Sequence, residues 1–320
     1  SCLTGDTLIP TTEGLRRIDS FGSGKEFGKA LDINVTMDSR YGKEKAVKWI
    51  YNGFQKTIKV TTDTGNSLKA TGNHPVLVLN EDGNIDWKRV DKLKVGDVLC
   101  VSKNKVVRTK KLKLNVGLPP ERERKGEDPG VNYMGDMRGK NPNSHNNYSV
   151  GSMTVPKYMT PKLAYWLALF VSEGNTRGID THSKDGDELA VGIGFGNSSK
   201  RLCKRFVSLA MDLFGVPMVM GEEYTAEQCN ADRGPDHPFK ATKGFYTVRT
   251  QGVQRRLVDW LDAIGVYVKP GRVDGKTPSY FKQVPWSVLQ ADEECQRAFL
   301  AGYAECDGSL YKRTYWFSQS

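Results

Sequence analysis

Cys2, Thr71 and His74 are the residues whose types first suggest chemistry. A thiol becomes a strong nucleophile once it loses its proton, and an imidazole can take or give that proton near neutral pH. His74 follows Thr71 by three residues, on a Gly72-Asn73 turn that runs into a strand opened by Pro75. So tight a turn can hold a hydroxyl and an imidazole against one buried carbonyl. With Cys2 the set could attack the peptide bond that precedes the cysteine. Taken singly, each residue has a plainer reading. A lone cysteine is most simply a small buried hydrophobe, and a histidine beside proline most simply a turn residue bonded to its own backbone.

A second pair is carboxylic. Glu173 ends the apolar run LAYWLALFVSEG and Asp307 ends FLAGYAECDGSL, each followed by glycine. Ala168 and Ser172 in one run, and Gly302 and Cys306 in the other, are small residues four apart on one helical face. Such faces let two helices approach more closely than the usual ~8 to 10 Å between axes, which would bring the two acids together at one end. Adjacent carboxylates with a hard cation suit phosphodiester hydrolysis. For either helix alone, a buried helix with a C-terminal glycine cap is the simpler expectation.

The elements that must position these residues fall into three stretches. Residues 1–107 alternate β-branched positions and turn signals, which predicts strands at 7–9, 33–37, 46–51, 57–62, 67–70, 76–79 and 98–101 and an all-β domain. Residues 108–156 are polar and basic, with Pro119, Pro120, Pro129 and Pro142 among Gly and Asn, and read as a linker or insertion with too few apolar residues for a core. The run Lys103, Lys105, Arg108, Lys110, Lys111, Lys113 would suit a DNA backbone or a solvated face. Residues 157–320 alternate helices and strands, with helices expected at 163–174, after a Ser198 cap, at 253–264 and through the Asp307 run.

The bulk numbers agree with two domains. At 320 residues the chain exceeds what one core normally covers, and Lys plus Arg exceed Asp plus Glu by 47 to 37, a net charge of +10 that favours a polyanion such as nucleic acid. The six cysteines form no CxxC pair and no zinc-spaced cluster, so reduced thiols and a cytoplasmic location are expected. No apolar run approaches the ~18 residues needed to span a bilayer, and no membrane partner is expected.

CLTGDT at the start, TGNHPV at 71–76, and DWKRVDKLKVGDVL with Trp87, Leu93, Gly96 and Asp97 together resemble the N-terminal splicing blocks of inteins, which have the Hint fold. The resemblance implies that Cys2 is the first intein residue, Ser1 the last of the flanking protein, and the reaction an N-to-S acyl shift. His74 would then deliver the proton, and Thr71 with nearby N–H groups would hold the scissile carbonyl. LAGYAECDG at 300–308, with the first copy ALFVSEG, resembles the LAGLIDADG homing endonucleases, Glu173 standing where Asp is usual. That likeness implies an α/β domain, present as a first repeat and the start of a second. It also implies Glu173 and Asp307 as catalytic ligands of Mg²⁺ and a double-stranded DNA target read from strands. Lys243, Arg249, Gln251 and Arg272 are the candidate DNA contacts, and no catalytic lysine is identified. Without a terminal His-Asn pair or a second sheet after Gly308, the sequence is expected to be the N-terminal part of such a protein. Its partners would then be the flanking host segments and a complementary C-terminal fragment. A LAGLIDADG remnant that binds DNA without cutting, and a Hint autoprocessing domain without DNA function, remain as alternatives.

Overall fold

Turn glycines at regular intervals break the N-terminal third into short strands. These are β1 (Leu8–Thr11), β2 (Gly14–Arg17), β3 (Ala30–Ser39), β4 (Gly42–Ile50), β5 (Thr57–Thr61), β6 (Ser67–Thr71), β7 (Pro75–Leu79), β8 (Ile85–Arg89) and β9 (Val98–Leu99). They form three antiparallel sheets, ordered β2-β1-β3-β4, β5-β6 and β8-β7-β9. The computed structural model describes residues 1–22, 26–102, 111–116, 153–180, 189–233, 240–251, 254–268, 278–311 and 314–317. The chain divides into two compact units, Ser1–Lys110 with Leu289–Glu293, and Lys111–Val288 with Glu294–Ser320. Among the described residues no helix is long and apolar enough to cross a membrane.

Two strands of the first unit, β2 and β8, lie where none is expected. Both are rich in charged residues and both are sheet edges, where one side of the ladder faces water and charged side chains cost little.

The first unit contains the same hairpin twice. In the first copy Thr7 N donates to Thr4 O, Ile18 N to Thr7 O and Asp19 N to Gly5 O, all at 3.0 Å. In the second, His74 N donates to Thr71 O, Val90 N to His74 O and Asp91 N to Gly72 O, all at 2.9 Å. Arg17 forks onto Asp19 in one copy and Arg89 onto Asp91 in the other. Glycine fits closely at the same point of each: a Cβ on Gly5 or Gly72 would lie 3.0 Å from the Cβ of Asp19 or Asp91. The copies join at an antiparallel bridge between Leu3 and Ala70, flanked by Thr4 N to Lys69 O (3.2 Å) and Thr71 N to Cys2 O (2.9 Å). Little of this unit is deeply buried. Its core centres on Ala70, Val78 and Val90, while Val47, Ile50, Trp87, Val95, Val98 and Val101 stay exposed.

The second unit is densely packed. It comprises α1 (Pro161–Glu173), β10 (Gly174–Asp180), β11 (Leu189–Asn197), α2 (Lys200–Phe214), β12 (Met218–Met220), α3 (Ala226–Arg233) and β13 (Tyr246–Thr250). Then come α4 (Arg255–Ala263), α5 (Trp286–Leu289), α6 (Glu293–Asp307), β14 (Gly308–Tyr311) and β15 (Thr314–Phe317). The sheet runs β10-β11-β13-β12, all antiparallel. An aromatic chain ties it to its helices: Phe195 stacks on Phe206 (4.5 Å), Phe206 on Trp166 (4.8 Å), and Phe214 meets both Trp166 (4.9 Å) and Trp260 (5.4 Å). Such pairs add to the area they bury.

Three expectations change here. Ser199, not Ser198, caps α2, its Oγ accepting from Leu202 N, because the Asn197 side chain already takes the Ser199 N–H and moves the helix start on by one. Gly174 is no left-handed cap. It has φ −74° and ψ 156°, and the chain passes straight from α1 into β10. Glycine is needed there because a Cβ would meet Phe170 O at 2.3 Å, and Gly308 repeats the situation with Ala304 O at 2.4 Å. Finally, the basic stretch does supply core residues: Leu112, Leu114 and Met153 are buried, while Lys111 and Lys113 point to water. The backbone there pairs with residues near 157–159, Leu114 N to Lys157 O and Met159 N to Leu112 O, both 2.9 Å. Lys103, Lys105, Arg108 and Lys110 lie outside the described residues.

Candidate active site

Cys2 owes its place to the bridge between Leu3 and Ala70. That register brings the first residues alongside the end of β6, so Cys2 faces Thr71 across the ladder. The Cys2 amide N–H donates to Thr71 Oγ1 at 2.8 Å, and the Thr71 hydroxyl donates to Asn73 Oδ1, also at 2.8 Å. Asn73 thereby turns an oxygen lone pair toward the Cys2 nitrogen. The Thr71 hydroxyl thus grips the Cys2 nitrogen and the Thr71 amide holds the Cys2 carbonyl, whereas the sequence placed Thr71 at the carbonyl of Ser1.

His74 sits three residues on, with its backbone held on both sides by the turn. Its Nδ1 is buried without a protein hydrogen-bond partner, which leaves a ring nitrogen open to exchange a proton. Burial, and secondarily the ammonium of Ser1, push the ring below its ordinary value of 6.5, so the imidazole is neutral at pH 7. A neutral ring can accept a proton before handing it on. When residues precede Ser1, that ammonium becomes an uncharged peptide and burial alone remains.

Sequence reasoning missed one neighbour of the thiol. Asn52, on the connection between β4 and β5, donates from Nδ2 to Cys2 Sγ at 3.2 Å. It belongs to no recognisable pattern, and only the fold brings it there.

The second unit holds another cluster. Gly302 packs against α1 so closely that a Cβ there would lie 2.8 Å from Tyr165 O and 3.0 Å from the Ala168 Cβ. The small-residue faces of α1 and α6 therefore do meet, and Glu173 and Asp307 end the two helices as near neighbours. Burial raises the Glu173 carboxyl and the charge of Asp307 raises it further, with Lys282 opposing. Lys282 was not singled out from the sequence. Its Nζ donates to Gly174 O at 2.6 Å and Ser172 O at 3.2 Å, the carbonyls at the end of α1. Burial lowers its affinity for a proton, against the pull of both carboxylates. Burial, then Glu173 and Asp307, push the adjacent Cys306 thiol up to about 12, which keeps it protonated and inert. Among the described residues no three His, Cys, Asp or Glu side chains converge as metal ligands, so the two acids stand as a pair.

The expected DNA contacts are spread out. Arg249 lies on β13, on the face opposite the buried Val248 and Thr250, and exposed Gln251 follows it. Lys243 is exposed on the loop before that strand, and Arg272 falls outside the described residues. No disulfide joins any of the six cysteines.

A replication factor C small subunit from Methanocaldococcus jannaschii is 24% identical over 323 residues, covering 98% of this chain. One from Pyrococcus furiosus is 33% identical over 108 residues, 31% of this chain, and a DNA topoisomerase 1 from that organism is 36% identical over 108 residues, 33% of it. The chain spans 13% of the length of each of those replication factors and 10% of the topoisomerase. The family model described as the intein splicing domain matches residues 12–213, more than half of the sequence, and the chain belongs to that family.

Proposed function

We infer that the chain begins protein splicing by an N-to-S acyl shift at Cys2. The observation that carries this reading is the Cys2 amide hydrogen-bonded to Thr71 Oγ1 at 2.8 Å, beside the buried, partnerless Nδ1 of His74. The thiol gives its proton to the neutral imidazole, Sγ attacks the Ser1 carbonyl carbon, and a C–S bond forms. The C–N bond of Ser1–Cys2 then breaks as His74 returns the proton to the Cys2 nitrogen, now a free amine. Thr71, on that nitrogen, fixes the amide against rotation until it leaves. The partners are the flanking host segments and a C-terminal segment that supplies the remaining splicing residues.

The test is a reporter fused ahead of Ser1 and treated with dithiothreitol. Release from the wild type and none from Cys2→Ala is expected; release from Cys2→Ala at the wild-type rate would overturn the reading.

A second activity is favoured by the meeting of α1 and α6 at Gly302. We infer a LAGLIDADG-type endonuclease acting on double-stranded DNA, with Glu173 and Asp307 as the acidic pair and Arg249, Gln251 and Lys243 among its contacts. Two repelling carboxylates fit a hard divalent cation such as Mg²⁺, which would supply an activated water and neutralise the leaving oxygen. The Lys282 ammonium, beside both acids, is placed to offset phosphate charge. Plasmid nicking that disappears in Asp307→Asn while DNA binding persists is the expected result. Binding without nicking in the wild type would leave a DNA-binding remnant, and neither would leave an autoprocessing domain alone.

A further inference from the structure

The nucleophile is held at two points, and only one lies in the motifs that flank it. Thr71 holds the Cys2 nitrogen, and the Asn52 side chain holds the sulfur, Nδ2 to Sγ at 3.2 Å. We propose that Asn52 is a catalytic residue of the acyl shift, its amide N–H aiming Sγ and stabilising the negative charge that sulfur carries before attack. This rests on Cys2 being the nucleophile.

Asn52 is well fixed for such a role. The preceding Tyr51 carbonyl accepts from Gly28 N at 2.8 Å, and the Asn52 carbonyl accepts from Gln55 Nε2 at 3.0 Å. Gly53 follows with φ 64°, a left-handed conformation that turns the chain sharply toward β5. The amide thus reaches sulfur from an anchored loop, and side-chain entropy lost on ordering is small.

The chemistry favours a neutral donor here. A cation beside a thiolate lowers its basicity, and nucleophilicity falls with basicity. An uncharged N–H gives the developing thiolate one hydrogen bond without a permanent ion pair, and it lets the sulfur go once charge passes to the carbonyl oxygen. The step needs no oxidant or cofactor: a C–S bond forms, the Ser1–Cys2 C–N bond breaks, and the thiol proton ends on nitrogen.

The experiment uses the full chain with a reporter ahead of Ser1, and follows reporter release by hydroxylamine, which traps the thioester, from neutral to alkaline pH. Asn52→Ala should slow release about tenfold at neutral pH, the effect of one hydrogen bond to a charged group. The gap should close as pH rises, because the thiol then ionises unaided. Asn52→Asp keeps the side chain's shape but presents only acceptors and a negative charge, so it should be slower still. Three results would each overturn the proposal: wild-type rates in Asn52→Ala, Asn52→Asp as fast as wild type, or a deficit in Asn52→Ala that is the same at every pH, which marks a packing role. Release that persists in Cys2→Ala would instead overturn the reading on which it rests.

Discussion

The two hairpins that meet at the bridge between Leu3 and Ala70 share a backbone and differ in their side chains. Each has a Thr-Gly turn, an aspartate seated against the glycine and an arginine forked onto that aspartate. Where the second copy has His74, the first has Thr7, whose hydroxyl lies 3.3 Å from that of Thr4. Where the second has Asn73 oriented by Thr71, the first has Asp6, held below the usual carboxylate range chiefly by Thr4. The glycine and aspartate are therefore architecture, common to both turns, and under the proposed acyl shift the difference between them is the imidazole and the Cys2 amide bonded to Thr71.

The largest effect that could break this comparison is an exchange at the position that differs. His74→Thr makes the second copy like the first, and release of an upstream reporter should fall roughly 10²- to 10⁴-fold, the usual worth of a positioned acid or base. Thr7→His should change the rate little, because on that side of the bridge Thr4 N donates to Lys69 O and no bond proposed to break is held there. If Thr7→His restored release to the His74→Thr protein, the two turns would be chemically equivalent and the assignment to the second would fail.

A smaller effect separates architecture from reaction. Gly5→Ala and Gly72→Ala each force a Cβ to 3.0 Å from an aspartate Cβ. Each should lose about 1 kcal/mol of stability or somewhat more, the cost of modest overpacking, measured by urea unfolding. The losses should match, yet only Gly72→Ala should slow reporter release, since only that turn carries His74. Unequal losses would show that the shared backbone conceals different packing.

How much of this could be read from the sequence follows from how local each contact is. Thr71 and His74 are legible because one turn holds both, and Cys2 because its motif accompanies theirs. The repeated hairpin is hidden because its copies share little beyond Thr-Gly and an Arg-apolar-Asp run, with unrelated residues in β1 and β7. Asn52 and Lys282 are invisible for a different reason: each reaches its partner from a distant loop, and no period or spacing marks it. The longer helices of the second unit, α1, α2, α4 and α6, are legible from apolar runs, whereas α3 and α5 are not, and β2 and β8 are hidden because their edge positions let charged residues replace the alternation that signals a strand. The same physics explains the exposed apolar residues of the first unit. Its strands carry the alternation of buried ones, but among the described residues of those strands and their connections only Ala70, Val78 and Val90 are buried apolar side chains, with Ala291 added from the 289–293 segment.

The smallest effect is the dependence of stability on pH that the comparison places in one turn and not the other. His74 is held below its ordinary 6.5, mainly by burial, so the folded protein binds its proton less readily than the unfolded chain. The sign follows from linkage: this contribution is fully present above 6.5 and is lost as pH falls from there through the folded value, where the unfolded chain is protonated first. Thr7 offers no such group. Hydrogen exchange at the amides of His74 and Val90, compared with their counterparts Thr7 and Ile18, should lose protection as pH drops through that window after correction for intrinsic rates. The loss should vanish in His74→Thr. A decline in both turns alike, surviving His74→Thr, would mean that the charge senses the unit as a whole and that the imidazole is not set apart by its turn.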